Sequence, residues 1–216
     1  MITAIYPGTY DPVTFGHVDV ITRAAAIFDR VVIGVVGNPH HKEPMFGVEE
    51  RMEFLRKAVG HLENVEVDVF KELVVDFARR WDAKVIVKGL RVSSDFEWEF
   101  QMNQLNRTLA PDIETVYVMA SPIYSFVSSS GVKEIASFGG KVDEFVPEPV
   151  ARRFREIFPS IFGYPIQIEL CSKYMHLGTP CWLSWLQRAS ASHKNQVYYP
   201  SINSYPIDAW REKESY

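Results

Sequence analysis

Short runs of β-branched and other apolar residues recur along the first three quarters of the chain, each closed by a turn signal. Residues 3–6 end at Pro7-Gly8, and residues 31–36 at Gly37-Asn38-Pro39. Residues 65–69 alternate apolar and polar. Residues 84–88 stop at Gly89, and residues 115–119 stop before Ser121-Pro122. Nearly continuous Val/Ile runs of this length suit strands buried on both faces, which is the habit of a parallel sheet. Between the runs the apolar period lengthens to that of a helix. Residues 17–28 place Val18, Ile21, Ala25 and Phe28 on one stripe, and residues 49–59 do the same with Met52, Leu55 and Val59. Residues 74–81, 95–109, 129–138 and 147–158 complete the helical set. Strand and helix in alternation predict an α/β fold, an open parallel sheet of Rossmann-like type with helices on both faces. Ligands of such sheets sit beyond the carboxyl ends of the strands, so the loops that follow the strands are where chemistry is expected.

Composition narrows the class. Of 216 residues, 47% are hydrophobic and 23% charged, a globular mix with a net charge of −4. There is no basic excess for nucleic acid or an anionic membrane. Residues 1–7 lack the basic start and apolar run of a signal peptide, and no run reaches the length of a membrane span. The two cysteines, Cys171 and Cys181, make neither a disulfide framework nor a four-cysteine zinc site. A cytoplasmic protein is expected.

Split at Pro159, the arithmetic is uneven. Residues 1–158 carry 18 basic and 23 acidic groups, net −5; residues 159–216 carry five and four, net +1. The latter also hold both cysteines, three of the five Trp and six of the ten Tyr. Two parts are expected: a domain over residues 1–158 and a C-terminal extension over 159–216 of unassigned structure and role. Within the extension, residues 164–170 alternate like a strand. The spacing of Cys171, His176, Cys181 and His193 matches no metal-finger pattern.

Four post-strand loops carry candidate chemistry. In the first, Thr9 precedes Pro12 and Gly16-His17 opens a helix. Glycine permits close approach, and a histidine at a helix start can donate to an anion that the helix amides already favour. A plain helix cap is the competing reading of Gly16-His17 alone. The second loop, Asn38 to Phe46, holds His41 and Lys42, a mobile point charge. The third joins Lys88, Gly89, Leu90 and Arg91, with Glu99 one helix turn or two beyond. The fourth runs Tyr124-Ser125-Phe126-Val127-Ser128-Ser129-Ser130 into a helix, offering hydroxyl and amide donors to an anion.

The pattern Thr9-x-x-Pro12-x-x-x-Gly16-His17 resembles the T-x-x-P-x-x-x-G-H form of the HxGH signature of nucleotidyltransferases. With Tyr6-Pro7-Gly8 before it, it is similar to the phosphopantetheine adenylyltransferases in particular. The N-P…K…M-F…E-E-R segment ending at Arg51, the K-G-L-R stretch and the S-F-V-S-S-S segment resemble the same family, in the same order. The segment at Lys42 is one residue longer than in relatives with a double lysine, so His41 and Lys42 compete for that place. Lys88 stands where many relatives have arginine.

The resemblance implies a nucleotidyltransferase fold and adenylyl transfer from ATP to 4′-phosphopantetheine, yielding dephospho-coenzyme A and pyrophosphate. It implies ATP contacts at Thr9, Tyr10, His17, Gly89, Leu90, Arg91, Glu99, Tyr124, Ser125, Phe126, Val127, Ser128, Ser129 and Ser130. Acceptor contacts fall at Thr9, Lys42, Val74 and Lys88. His17 and Thr9 are the candidate catalytic residues. Mg²⁺ is expected to travel with ATP, with no dedicated protein ligands, and a homo-oligomer, a hexamer by resemblance, is expected. A nicotinate mononucleotide or cytidylyl transferase is the alternative within the same fold; the S-F-V-S-S-S and K-G-L-R segments oppose it.

Overall fold

A computed structural model describes residues 1–39 and 43–158. His41 and Lys42, and every reading of residues 159–216, lie outside the described residues.

Five strands, β1 (Thr3–Gly8), β2 (Arg30–Val36), β3 (Val65–Phe70), β4 (Val85–Leu90) and β5 (Glu114–Met119), form one sheet in the order β3-β2-β1-β4-β5. Every neighbouring pair is parallel. The crossovers run through α1 (Phe15–Ile27), α2 (Val48–Val59), α3 (Val74–Arg80) and α4 (Ser93–Leu109), followed by α5 (Ser129–Ser137) and α6 (Glu148–Ile157). The expected open parallel α/β sheet is therefore present, and each expected element appears within two or three residues of its predicted bounds.

Alternation along the strands divides the core in two. Ala4, Tyr6, Val31, Ile33, Val35 and Val87 pack against Val20, Ile21 and Ala24 of α1, Leu55 of α2, Val132 of α5 and Phe154 of α6. Ile5, Val32 and Ile86 face the other way, onto Val75, Phe77 and Ala78 of α3. Strands buried on both faces have no polar side, which is why these runs read as almost unbroken Val and Ile. Gly34 in β2 makes room for the second layer. A Cβ there would lie 2.5 Å from the ring of Phe77, which stacks on Phe70 at 4.6 Å.

The chain order reverses between β1 and β4, and here the sheet opens. β1 runs beside β2 for its whole length, from Thr3 opposite Arg30 to Gly8 opposite Val35. Against β4 it is in register only at Ala4 and Ile5. Beyond Ile5 the two central strands part, and Pro7, which has no N–H to offer a neighbour, lies on the divergent stretch. The expectation that β1 ends before Pro7-Gly8 is corrected: the strand continues through both, held by β2 alone. Similarly β4 continues through Gly89 to Leu90, carried by its pairing to β5.

Candidate active site

The gap between β1 and β4 widens into a cleft of about 410 Å³. Its walls come from three post-strand loops that are distant in sequence and from the helices they open. β1 and the turn after it supply Tyr6, Pro7, Gly8 and Tyr10; α1 supplies Gly16 and His17; β4 and α4 supply Lys88, Gly89, Arg91, Asp95 and Glu99; α5 supplies Ser128, Ser129 and Ser130. Expected site residues from three of the four loops thus meet at one end of the sheet, while Thr9, Leu90, Tyr124, Ser125 and Phe126 of the same loops lie outside the lining.

His17 is the most constrained of them. The helix begins two residues before the expected start, with Thr14 as N-cap, so His17 stands in the first turn instead of opening it. The Thr14 backbone N–H donates to His17 Nδ1 at 3.0 Å, and Thr14 Oγ1 lies 2.9 Å from the same nitrogen. A backbone amide can only donate, so Nδ1 is an acceptor and the neutral ring carries its proton on Nε2. Beneath the ring, Tyr10 packs edge-on at 5.2 Å between centroids. Burial, and secondarily the positive field of Arg91, push the imidazole down to about 4. At neutral pH His17 is an uncharged, fixed-orientation N–H donor.

Tyr10 adopts a left-handed backbone, φ 51°. Its ring is buried and its hydroxyl donates to the Tyr6 carbonyl at 2.7 Å. The side chain therefore supports His17 and is committed to the core, leaving its main chain as the part free to meet a ligand. Thr9 accepts at its carbonyl from Arg51 at 2.6 Å. Gly16 is not required by any close protein neighbour, since a Cβ would meet nothing nearer than 3.5 Å; the space it leaves belongs to the cleft. Gly89 is tighter, with Tyr6 Oη 3.1 Å and Val20 3.2 Å from an added Cβ.

The cations are held in place by carboxylates. Arg91 forms a two-pronged pair with Asp95, Nε to Oδ2 and Nη2 to Oδ1, both 3.1 Å, and donates through Nη1 to the Val127 carbonyl at 3.2 Å. A planar fork pinned on one edge keeps a fixed direction. Lys88 pairs with Glu99 at 3.1 Å, so two residues expected on different substrates face each other across one contact. Leu90 is buried at the end of β4.

Ser128 caps α5, its Oγ accepting from the Gly131 amide at 3.0 Å, and Ser129 Oγ donates to the Pro12 carbonyl at 2.7 Å. Ser130 is exposed to the cleft. First-turn amides of a helix have no intrahelical partner, so the start of α5 presents donors of the kind expected. In the preceding 3-10 turn, Pro122–Tyr124, Tyr124 packs near Phe15 and Ser125 Oγ bonds to the Pro122 carbonyl. Phe126 projects into solvent, while Val127 is buried. Val74 opens α3, at the same end of the sheet but outside the cleft lining. Lys42 falls outside the described residues.

Three charged residues of the scaffold carried no role in the sequence reading. Asp11 is buried and accepts from the amides of Met45 and Phe46 at 3.1 and 3.0 Å. Lys133 reaches the same carboxylate from α5. Arg51, 1% exposed, donates to the carbonyls of Phe46, Thr9 and Val36. Its position gave a signal: Arg51 lies four residues before Leu55, on the apolar stripe of α2, where a charge needs buried partners.

The cytidylyltransferase-like family matches residues 5–135. The chain is 51% identical over 158 residues to the phosphopantetheine adenylyltransferase of Caldanaerobacter subterraneus subsp. tengcongensis, covering 73% of this chain and 98% of that protein. It is 54% identical over 155 residues to the phosphopantetheine adenylyltransferase of Gloeobacter violaceus, covering 72% and 96%. A solved structure from Vibrio parahaemolyticus, described as a nicotinate-nucleotide adenylyltransferase, superposes with a TM-score of 0.54 over 73% of this chain and 93% of that one. At 15% identity it speaks for the fold.

Proposed function

The chain belongs to the phosphopantetheine adenylyltransferases, within the cytidylyltransferase-like family, and we propose that it transfers the adenylyl group of ATP to 4′-phosphopantetheine, releasing pyrophosphate and forming dephospho-coenzyme A. The observation that carries this reading is sequence identity of about half over nearly the full length of relatives bearing that name. The cleft between β1 and β4 supports it with donors gathered from three loops.

The transfer is a direct displacement. An oxygen of the acceptor's phosphate bonds to the α-phosphorus as the bond to the bridging oxygen of pyrophosphate breaks. A phosphate monoester has its second pKa near 6 and attacks as an anion without a protein base. The protein's part is to hold two polyanions in line and to meet the charge that develops between them. His17 Nε2–H is the donor aimed at the α-phosphoryl oxygens. Its neutrality matters, because a fixed dipole serves without a proton having to leave or return. Thr9 is the second donor. Arg91, Ser130 and the first amides of α5 take the β- and γ-phosphates. Lys42 and Lys88 take the acceptor phosphate, and Lys88 must exchange Glu99 for it. Val74 lies toward the acceptor's arm.

Mg²⁺ is assigned to the nucleotide itself. Among the described residues no group of three or more His, Cys, Asp or Glu side chains is placed to hold a metal. The cleft carboxylates Asp95 and Glu99 are engaged by Arg91 and Lys88. No step is assigned to protein ligands of the ion.

The reading includes a cytoplasmic homo-oligomer. No described helix is long and apolar enough to cross a membrane. The seventeen residues of α4 include no buried one, and Phe96, Phe100, Leu105 and Leu109 are exposed along it. Apolar surface of this extent fits contact with further copies; six copies rests on family resemblance.

Displacement without a covalent enzyme intermediate inverts the α-phosphorus. With ATPαS of one configuration as donor, the product is expected to have the opposite configuration. Retention would overturn the single-step account.

A further inference from the structure

One ion pair outside the cleft lining, its carboxylate buried and its lysine partly so, joins the turn after β1 to α5, and the same carboxylate holds the segment after β2. Asp11 sits in the turn that carries Thr9 and leads to His17, with its side chain 7% exposed. Both of its oxygens are used. Oδ1 accepts from Phe46 N–H and Oδ2 from Met45 N–H, which anchors the segment immediately after Lys42. Oδ2 also receives Lys133 Nζ from α5, at 2.5 Å. Lys133 lies four residues after Ser129, so both stand on one face of the helix. Ser129 in turn donates to the Pro12 carbonyl, next to Asp11. The start of α5 is thus fastened twice to the turn after β1, by Ser129 in its first turn and Lys133 in its second, and the same carboxylate fastens the segment after β2.

We propose that Asp11 and Lys133 are positioning residues that set the nucleotide-side helix start and the acceptor-side loop in register with His17. The pair acts through the groups it holds, and neither residue lines the cleft. The inference rests on the adenylyl-transfer reading, because it supposes that the two sides hold two reacting phosphates. Misplacement of reactants by an ångström can cost about a hundredfold in rate while leaving each subsite able to bind. A charge-free Lys133 should therefore lower kcat far more than it raises either KM. A role confined to stability would lower Tm and leave kcat intact below the transition.

The test is steady-state turnover of the full chain with Mg·ATP and 4′-phosphopantetheine, well below the melting range, for wild type, Lys133→Met and Lys133→Arg. Lys133→Met is expected to lose at least about tenfold in kcat, with both KM values within about threefold. Lys133→Arg, which keeps the charge and reach, is expected to recover most of the loss. A folded Lys133→Met with kcat within twofold of wild type overturns the proposal, and so does an Arg variant as impaired as Met. Lys133→Gln is the second variant should Met not fold, and the same outcomes apply.

Wild type that turns over no phosphopantetheine overturns the functional reading instead. The register claim is then read from nucleotide-linked hydrogen exchange at the Met45 and Phe46 amides. With a non-hydrolysable ATP analogue bound, exchange at these amides is expected to slow in wild type and Lys133→Arg but not in Lys133→Met. The same response in all three overturns the claim.

Discussion

A histidine in a phosphate-handling cleft is usually pictured as a cation, and His17 is built to be the opposite. The Thr14 amide occupies Nδ1 with a donor, and a second donor hydrogen cannot coexist with a proton there. Burial and Arg91 hold the ring down to about 4, below its usual 6.5. The folded form therefore resists protonation. The stability this group contributes is present in full above pH 6.5 and is lost as pH falls toward 4. Nitrogen-resolved NMR of the full chain is expected to find His17 neutral at pH 5.5, protonated on Nε2, with a midpoint near 4. A midpoint at or above 6 would contradict the tautomer argument. His17→Ala is expected to cut turnover at least about a hundredfold and leave the fold intact. His17, Arg91 and the serines were legible as candidates in the sequence because they follow strand ends, where ligands of such sheets bind. The partners that aim them were not: nothing in the spacing says that Asp95 pins Arg91, that Tyr10 lies beneath His17, or that Lys88 and Glu99 pair.

Elements were legible where periodicity is strong. Strands buried on both faces and stripes such as Ile21 and Ala24 are dictated by the two-sided core. Their ends were less legible because local turn chemistry competes with pairing. Pro7-Gly8 and Gly89 read as stops, yet each lies inside a strand that a single neighbour sustains. That one-sided pairing is the reason a cleft exists, since two fully zipped central strands would close it. Gly34 belongs to the same logic. Its missing side chain is filled by Phe77, fully buried. Gly34→Ala presses a methyl group against that ring and is expected to lower stability by about 1–3 kcal/mol, measured by urea unfolding; an unchanged midpoint would show that α3 retreats freely. Arg51 and Asp11 act between elements, joining the ends of β1 and β2 through buried carbonyls and amides. Such contacts link positions up to 42 residues apart and leave little trace in local patterning.

For the molecule as a whole, net charge was a poor guide to the ligand. In a chain of charge −4, Lys88, Arg91 and the start of α5 gather at one end of the sheet, at the switch between β1 and β4, so the bulk charge says little about so local a site. Fold class followed from alternation alone, whereas the choice among transferases sharing that fold required the four loop motifs together. The structural neighbour from Vibrio parahaemolyticus makes the point: a TM-score of 0.54 at 15% identity establishes the architecture and leaves the acceptor open. Acceptor choice is therefore where the account is most exposed. The deciding measurement is pyrophosphate release by the purified full chain with Mg·ATP, supplied in parallel with 4′-phosphopantetheine, with nicotinate mononucleotide, or with no acceptor. Release with 4′-phosphopantetheine is expected to exceed both others by at least about a hundredfold, the discrimination a site gains by pairing its buried donors with the right substrate. Release no faster than the acceptor-free background, or faster with nicotinate mononucleotide, would contradict the account.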